Sequence, residues 1–186
     1  DTTNNIMKVY DGSNWVAAFA SLSGALPLAG GTMTGNIVLG TNTIGGLQIK
    51  VTATSNIGLG ANAVDSITTG DYNVGLGDNA LTANTTGQRN VAVGDGSMIT
   101  NTTGAYNTAS GRYSLRYNTA GGSNTAFGYI ALQANTTGDF NVAIGAQALI
   151  VNTTADNNTA IGYQTMLSNT TGANNVATGS FSLSGN

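Results

Sequence analysis

Polar and apolar residues alternate along 56–186 in a pattern that recurs with a period of 17. The blocks begin at eight asparagines, which are Asn56, Asn73, Asn90, Asn107, Asn124, Asn141, Asn158 and Asn175. Written generally, a block reads N-[VT]-A-[IVL]-G-x-x-A-L-x-x-N-T-T-G-x-x, with substitutions in individual blocks, and we number its positions from place one to place seventeen. A fixed period held through seven full blocks and an incomplete eighth predicts a stack of similar coils.

The residues within a block predict how one coil is built. Place two is always β-branched and place three is only Gly or Ala, which predicts a short strand. Place five is Gly in all eight blocks, which predicts positive φ or a tight backbone corner. Place nine is Leu, Met or Val and is expected in a second short apolar strand, and the N-T-T-G run predicts a polar turn. Such coils stack at about 4.8 Å, so we expect an all-β parallel β-solenoid or β-roll.

The recurring Asn and Gly of each block are interpreted as structural repeat positions. We expect the Asn of place one to form a ladder of side-chain amides from coil to coil. The positions assigned to this framework are Asn73, Gly77, Asn90, Gly94, Asn107, Gly111, Asn124, Gly128, Asn141, Gly145, Asn158 and Gly162.

The side chains on the two faces of the predicted strand differ in size. The small residues of place three are expected to face the interior with the Leu of place nine, because so short a coil is thin. Places two and four then form a continuous apolar stripe, which needs another surface to cover it. Its members include Leu59, Leu76, Val91, Val93, Val142, Ile144 and Ile161. A parallel homotrimer is the expected solution, since it keeps every coil in register.

The composition excludes several functions. Only 7% of residues are charged, with 5 Lys and Arg against 8 acidic residues, all Asp, for a net charge of -3. Five scattered cations cannot supply the clusters that nucleic-acid binding needs. The absence of His and Cys removes the common zinc ligands, disulfides and a thiol nucleophile, and we expect no cofactor. No apolar run is long enough to span a bilayer and no signal peptide is visible, so we expect no membrane insertion and a segment of a longer protein.

Paired carboxylates are the best candidates for chemistry. Asp78 and Asp95 share place six of consecutive coils, and Asp139 and Asp156 share place sixteen. A carboxylate pair at this spacing could act as acid and nucleophile on a glycan, or share a cation. We favour solvated surface residues, because neither pair has a neighbouring His or Glu, and we assign no catalytic or metal residue.

The block at residues 107–123 differs from the others. Thr108 and Ser110 replace the apolar pair, and Arg112 and Arg116 add two charges. A polar layer inside an oligomer can fix register or hold an ion or water on the axis. The alternative is a tolerated local change, which we favour.

Aromatic residues cluster near the predicted corners and turns. They are interpreted as packing between coils or chains, with stacking on receptor sugars as the alternative; they are Tyr72, Tyr106, Tyr113, Tyr117, Tyr129, Phe140 and Tyr163. The adjacent Thr residues of each turn should point to opposite sides, which disfavours ice binding. The N-T-T sequons at Asn84, Asn101, Asn135, Asn152 and Asn169 are explained by identical turns without glycosylation.

The residues before the repeats divide into two parts. Residues 1–29 form an N-terminal hairpin and linker, in which Asp11-Gly12 predicts a turn between strands at 7–10 and 15–19. Residues 30–55 form a short β transition, with Gly-punctuated strands near 30–35 and a strand within 40–55 leading into the repeats at 56–186.

Two sets of residues resemble known families. Asn-Val-Ala-Ile-Gly at 141–145 and its equivalents at 90–94 and 158–162 resemble the head repeats of trimeric autotransporter adhesins, in which three chains each wind a left-handed parallel β-roll. The period of 17 is longer than the compact adhesin repeat. Lys8–Val16 and the G-G-T-M-T-G segment within Leu26–Ile37 resemble segments of bacteriophage tail-fibre and tail-collar proteins.

These resemblances imply a non-enzymatic structural shaft of a trimeric virion tail fibre that acts in host attachment. The implied partners are two further copies of the chain, other virion tail proteins, and a host glycan or surface protein bound by a distal region. The alternative is a bacterial trimeric surface adhesin, which would place the chain on a cell surface. A tailspike-type glycan hydrolase is the third hypothesis.

Overall fold

The computed structural model describes residues 8–10, 13, 15–17 and 55–185. The chain divides into two compact units, Asp1–Leu47 and Gln48–Asn186. In the first unit, strand β1 (Lys8–Tyr10) pairs antiparallel with strand β2 (Trp15–Ala17), and Val9 lies opposite Val16.

This pairing confirms the predicted antiparallel hairpin over its described residues, and residues 7 and 18–19 of the predicted strands lie outside them. The remaining predictions for the N-terminal part fall outside the described residues. They concern the turn at residues 11–12, the strands near 30–35 and the strand expected within 40–55, of which only residue 55 is described.

In the second unit, eight strands of three residues each form one parallel sheet in chain order. They are β3 (Ile57–Leu59), β4 (Val74–Leu76), β5 (Val91–Val93), β6 (Thr108–Ser110), β7 (Thr125–Phe127), β8 (Val142–Ile144), β9 (Thr159–Ile161) and β10 (Val176–Thr178). Every strand residue pairs with the one 17 positions along, as Val74 does with Val91. The described part of this unit is therefore the predicted all-β parallel β-solenoid, with about 7 turns.

The interior is a narrow column of apolar side chains. Ala92, Ala109, Ala126, Ala143 and Ala160 at place three are fully buried. They pack against the stacked residues of place nine, which are Leu81, Met98, Leu115, Leu132, Leu149 and Met166. The prediction that the small face of the strand turns inward with the place-nine side chain is confirmed. The core uses small residues beside one large residue per coil because the coil has no room for two.

The predicted second strand around place nine is wrong, because this part of each coil is a turn. Gln147 at place seven and Leu149 at place nine both have left-handed backbones, with φ of 61° and 50°. The Gln147 amide donates to Tyr129 in the coil before, and the Leu149 amide donates to Thr165 in the coil after, each at 3.0 Å. A strand would direct amides two residues apart toward the same neighbour. The left-handed residues instead bond both neighbouring coils while the Leu side chain enters the core.

The glycine of place five forms the predicted corner. Gly128 has a φ of 132°, where only glycine is unstrained. A Cβ added there would also stand 2.7 Å from the carbonyl carbon and oxygen of Gly145 in the next coil. Both the backbone conformation and the stacking of coils therefore require glycine at this place.

Candidate interaction surface

The asparagines of place one form a buried ladder through the solenoid. The amide of Asn90 donates to Oδ1 of Asn73 at 3.0 Å, and Nδ2 of Asn90 donates to the carbonyl of Gly104 at 2.8 Å. The expected ladder of side-chain amides is thus present, and from Asn56 to Asn141 each amide also donates to the turn that closes its own coil. The asparagines among the assigned repeat positions are fully buried, so they present no surface to a ligand.

A second asparagine ladder runs at place twelve, which sequence reasoning interpreted only as turn chemistry. Nδ2 of Asn101 donates to Oδ1 of Asn84 at 2.8 Å and to the carbonyl of Gly104 at 3.0 Å. The members of this ladder are Asn84, Asn101, Asn118, Asn135, Asn152 and Asn169. The signal for it was the same residue fixed at place twelve of six blocks. Because these side chains are buried, the folded coils do not offer their sequons for glycosylation.

The two threonines that follow the second ladder lie in different environments. The Thr102 hydroxyl at place thirteen is half-buried and donates to the carbonyl of Thr119 at 3.0 Å, whereas Thr103 is exposed. The adjacent threonines therefore differ in exposure, as expected for side chains that point to opposite sides, and the place-thirteen hydroxyl links neighbouring coils.

Places two and four form a mostly apolar surface along the described coils. At place four, Val93, Phe127, Ile144 and Ile161 are 36%, 42%, 39% and 38% exposed. We call places two and four of strands β4 to β9 the apolar strip, whose members are Val74, Leu76, Val91, Val93, Thr108, Ser110, Thr125, Phe127, Val142, Ile144, Thr159 and Ile161. The single chain leaves this strip partly exposed, as the alternation of the strand predicted. Seven of its twelve members are half-buried, and the exposed ones are Val91, Val93, Phe127, Ile144 and Ile161.

The candidate carboxylates are engaged in bonds between coils. Asp78 accepts a hydrogen bond from the amide of Ala61 at 2.9 Å. Oδ1 of Asp139 accepts from the amide of Gly122 at 2.6 Å, and Oδ1 of Asp156 accepts from the amide of Asp139 at 2.7 Å. These bonds give the carboxylates structural roles.

Asp95, the fourth candidate, forms an ion pair with Arg112. Nε of Arg112 lies 3.0 Å from Oδ2 of Asp95, and the two side chains are 54% and 43% exposed. The hydrogen bond to Asp95 raises the pKa of Arg112 above its usual value, and the hydrogen bond to the Tyr113 hydroxyl adds to the rise. Across the described residues there is no group of three or more Asp, Glu, His or Cys side chains that could hold a metal ion. The same part of the chain contains no helix with the length and apolarity of a membrane span.

The divergent coil at residues 107–123 carries a stack of alternating cations and rings. The guanidinium carbon of Arg112 lies 4.2 Å from the centroid of the Tyr113 ring, and that of Arg116 lies 4.3 Å from the same ring. Arg116 also lies 5.1 Å from the ring of Tyr117. Sequence reasoning noted these residues separately but did not predict that they stack.

A second cation–aromatic stack lies at place seventeen. The guanidinium of Arg89 lies 5.3 Å from the ring of Tyr72 and 5.4 Å from the ring of Tyr106, one coil away on either side. Nη1 of Arg89 donates to the Tyr106 hydroxyl at 2.9 Å. These aromatics therefore contact neighbouring coils as predicted, although the rings of Tyr72 and Tyr106 remain more than half exposed.

Comparison of the chain with known proteins does not indicate a family. No protein-family model, no curated protein and no solved structure matches the chain. The class that the structure defines is a parallel β-solenoid of 17-residue coils.

Proposed function

We propose that the chain is a shaft segment of a trimeric fibre in which three parallel copies cover one another's apolar strips. The single observation that carries this proposal is the partly exposed apolar strip, which runs along every coil from Val74 to Ile161. A continuous apolar surface of this kind marks an interaction site in soluble proteins. Since the coils repeat every 17 residues, parallel copies in register meet equivalent residues at every level.

The proposal of a shaft rests on the hydrogen bonds that polar groups form between adjacent coils. Both asparagine ladders, the place-thirteen hydroxyls and the carboxylates of Asp78, Asp139 and Asp156 bond adjacent coils. Such a rod is suited to hold two ends of a fibre at a fixed distance. Its stability is approximately the sum of the contributions of its coils and of the contacts between them. We place it in a virion tail fibre that holds a distal receptor-binding region away from the particle, with other tail proteins at its anchor.

A bacterial surface adhesin is the second candidate. It is favoured by exposed rings such as Phe140 and Tyr129, which are available to a ligand along the coils themselves. In that case the solenoid would be both spacer and binding surface.

The mass of the purified chain in solution tests the trimer. Light scattering after size exclusion should give three times the 18.6 kDa of one chain. Ile144→Asp places a charge on the strip without entering the core, so we expect a monomer that keeps its far-ultraviolet circular dichroism. Thr137→Asp is the matched control, because Thr137 is exposed at place fourteen, away from the strip. A wild-type chain of monomeric mass would refute the proposal.

A further inference from the structure

The repeat by itself does not fix how neighbouring copies of the chain align. Coils stack at about 4.8 Å, so a copy that slides by one coil along its neighbour again meets strands of the same kind. Such a slide would set Ile144 beside Ile161, for example, because these residues lie one coil apart in the sheet. Most of the apolar strip therefore opposes a slide only through lost contact at its ends. A trimer with closed symmetry needs a feature that selects one alignment.

Place four of the apolar strip changes abruptly at two neighbouring coils. Four of its six residues are aliphatic, namely Leu76, Val93, Ile144 and Ile161. The other two are Ser110 and Phe127, which pair with each other in the parallel sheet, so their backbones lie about 4.8 Å apart along the solenoid. The smallest and the largest side chains of place four are therefore adjacent, and this step occurs once in the strip.

Ser110 also has a hydroxyl that the single chain does not satisfy. Its side chain is half-buried, and its hydroxyl forms no hydrogen bond within the described coils. Other hydroxyls of the solenoid have partners, since the Thr100 hydroxyl donates to the carbonyl of Arg116 at 2.9 Å and the Ser97 hydroxyl lies 3.0 Å from that of Ser114. Covering the strip buries the Ser110 hydroxyl, which is unfavourable unless the covering surface offers a partner.

The aligned trimer provides that partner, whereas a trimer that has slid by one coil does not. In a parallel trimer with closed symmetry, the three Ser110 hydroxyls meet at one level, where each can donate to one neighbour and accept from the other. The three Phe127 rings meet one level away, beside the space that the small serines leave. After a slide of one coil, Ser110 faces the Phe127 ring or the Val93 side chain of its neighbour, and neither side chain carries an acceptor.

We propose that Ser110 and Phe127 set the alignment of the chains, so that the apolar strip accepts a further copy of the chain in one register only. The inference rests on the proposed trimeric shaft and adds to it the residues that determine which alignment forms. The strip contains no charged residue, so charge pairs within it cannot make this selection. Threonine recurs at place two in three of the six coils, at Thr108, Thr125 and Thr159, so it marks no single level. A polar residue that fixes register in an apolar interface does so at a cost in stability, so replacing Ser110 can stabilise the trimer while it loosens the alignment.

Disulfide trapping measures the alignment, because the chain contains no cysteine of its own. One chain carries Ile144→Cys, a second chain lengthened by a tag carries Ile161→Cys, and the two are co-expressed and oxidised. Aligned chains bring equal positions within reach of a disulfide and give products of two chains of the same length. A slide of one coil brings position 144 to the level of position 161 and gives mixed products of unequal chains. Non-reducing electrophoresis separates these products by size.

We expect the mixed product to be the minor one when Ser110 and Phe127 are present. Ser110→Val with Phe127→Val makes place four aliphatic throughout the strip and should raise the proportion of mixed product by at least about fivefold. Thr125→Val with Thr159→Val is the matched control, because it also introduces two valines into the strip but keeps the step at place four. This control should leave the proportion unchanged. Light scattering and circular dichroism verify that each variant keeps its mass and fold.

The possible failures of this inference and of the trimer are distinguishable. A trimeric mass with an unchanged proportion of mixed product in Ser110→Val with Phe127→Val would overturn the inference alone, since the alignment would then be set elsewhere in the chain. An equal rise in the threonine control, or a mixed product that already predominates when Ser110 and Phe127 are present, would also contradict it. A monomeric mass of the wild type would overturn the proposed shaft and the inference together.

Discussion

The backbone amide of Asn124 donates a hydrogen bond of 2.9 Å to Oδ1 of Asn107, one coil earlier. Asn107 also donates through Nδ2 to the carbonyl of Gly121 at 2.8 Å, within its own coil. One buried side chain therefore closes its coil and binds the next one. Because successive coils repeat this arrangement, the ladder forms a hydrogen-bonded spine inside the solenoid.

Asn107→Ala is expected to lower the free energy of unfolding by about 2 kcal/mol, because it leaves the Asn124 amide buried without a partner. It also removes one of the two hydrogen bonds that the Gly121 carbonyl accepts, while the bond from Nδ2 of Asn118 remains. Urea denaturation followed by circular dichroism measures this loss. Thr137→Ala is the control, and we expect a change within about 0.5 kcal/mol because its side chain is exposed. Equal effects of the two substitutions would show that the ladder does not stabilise the coils.

Gly128→Ala is expected to destabilise the solenoid by about 2 kcal/mol or more, because it adds backbone strain at a φ of 132° to a clash with Gly145. Gly179→Ala separates the two causes. Gly179 has a φ of 110° and nothing within 4 Å of an added Cβ, so strain acts there without a clash. Thermal unfolding should show the smaller loss for Gly179→Ala. A larger loss at Gly179 would contradict the stacking argument for Gly128.

Places one to five could be predicted from the sequence because their signals are local. The β-branched and small residues alternate as a strand requires, and a glycine fixed in every block indicates a corner. The period then stacks the coils, and the same alternation predicts the partly exposed strip, as seen at Val93 and Ile144.

Places seven and nine could not be predicted, because nothing about Leu132 or Met98 favours a left-handed backbone. Such a conformation costs about 1–2 kcal/mol per residue in a free chain. Here it is imposed by hydrogen bonds to adjacent coils and by burial of the place-nine side chain. The stack of Arg112, Tyr113 and Arg116 was missed for the same reason, since Tyr113 is itself left-handed with a φ of 57°.

The left-handed backbone at place seventeen allows a stabilising substitution. Ser123 has a φ of 57°, and asparagine tolerates this region better than serine. Asn157 and Asn174 already occupy the same place in later coils, with φ of 58° and 61°. Ser123→Asn is therefore expected to stabilise the chain by about 0.5 kcal/mol, measured as a higher unfolding temperature.

Thr137→Asn is the control for this substitution, because Thr137 is exposed and is not among the residues with positive φ. It should leave the unfolding temperature unchanged. A drop in stability for Ser123→Asn would mean that the serine hydroxyl has a role that the backbone argument omits.

Ser110 interrupts the apolar strip, since it lies between Val93 and Phe127 in the register of the sheet. Its side chain is half-buried in the single chain, so replacement by valine should have little effect on an isolated solenoid. In a trimer that buries the strip, Ser110→Val adds apolar surface to each interface and should stabilise by about 1 kcal/mol per chain. We therefore expect a higher unfolding temperature in the wild-type background and almost none of that gain in the monomeric Ile144→Asp background. A lower unfolding temperature of the trimer would instead show that the Ser110 hydroxyls form a satisfied polar layer between the chains, because valine would remove its hydrogen bonds.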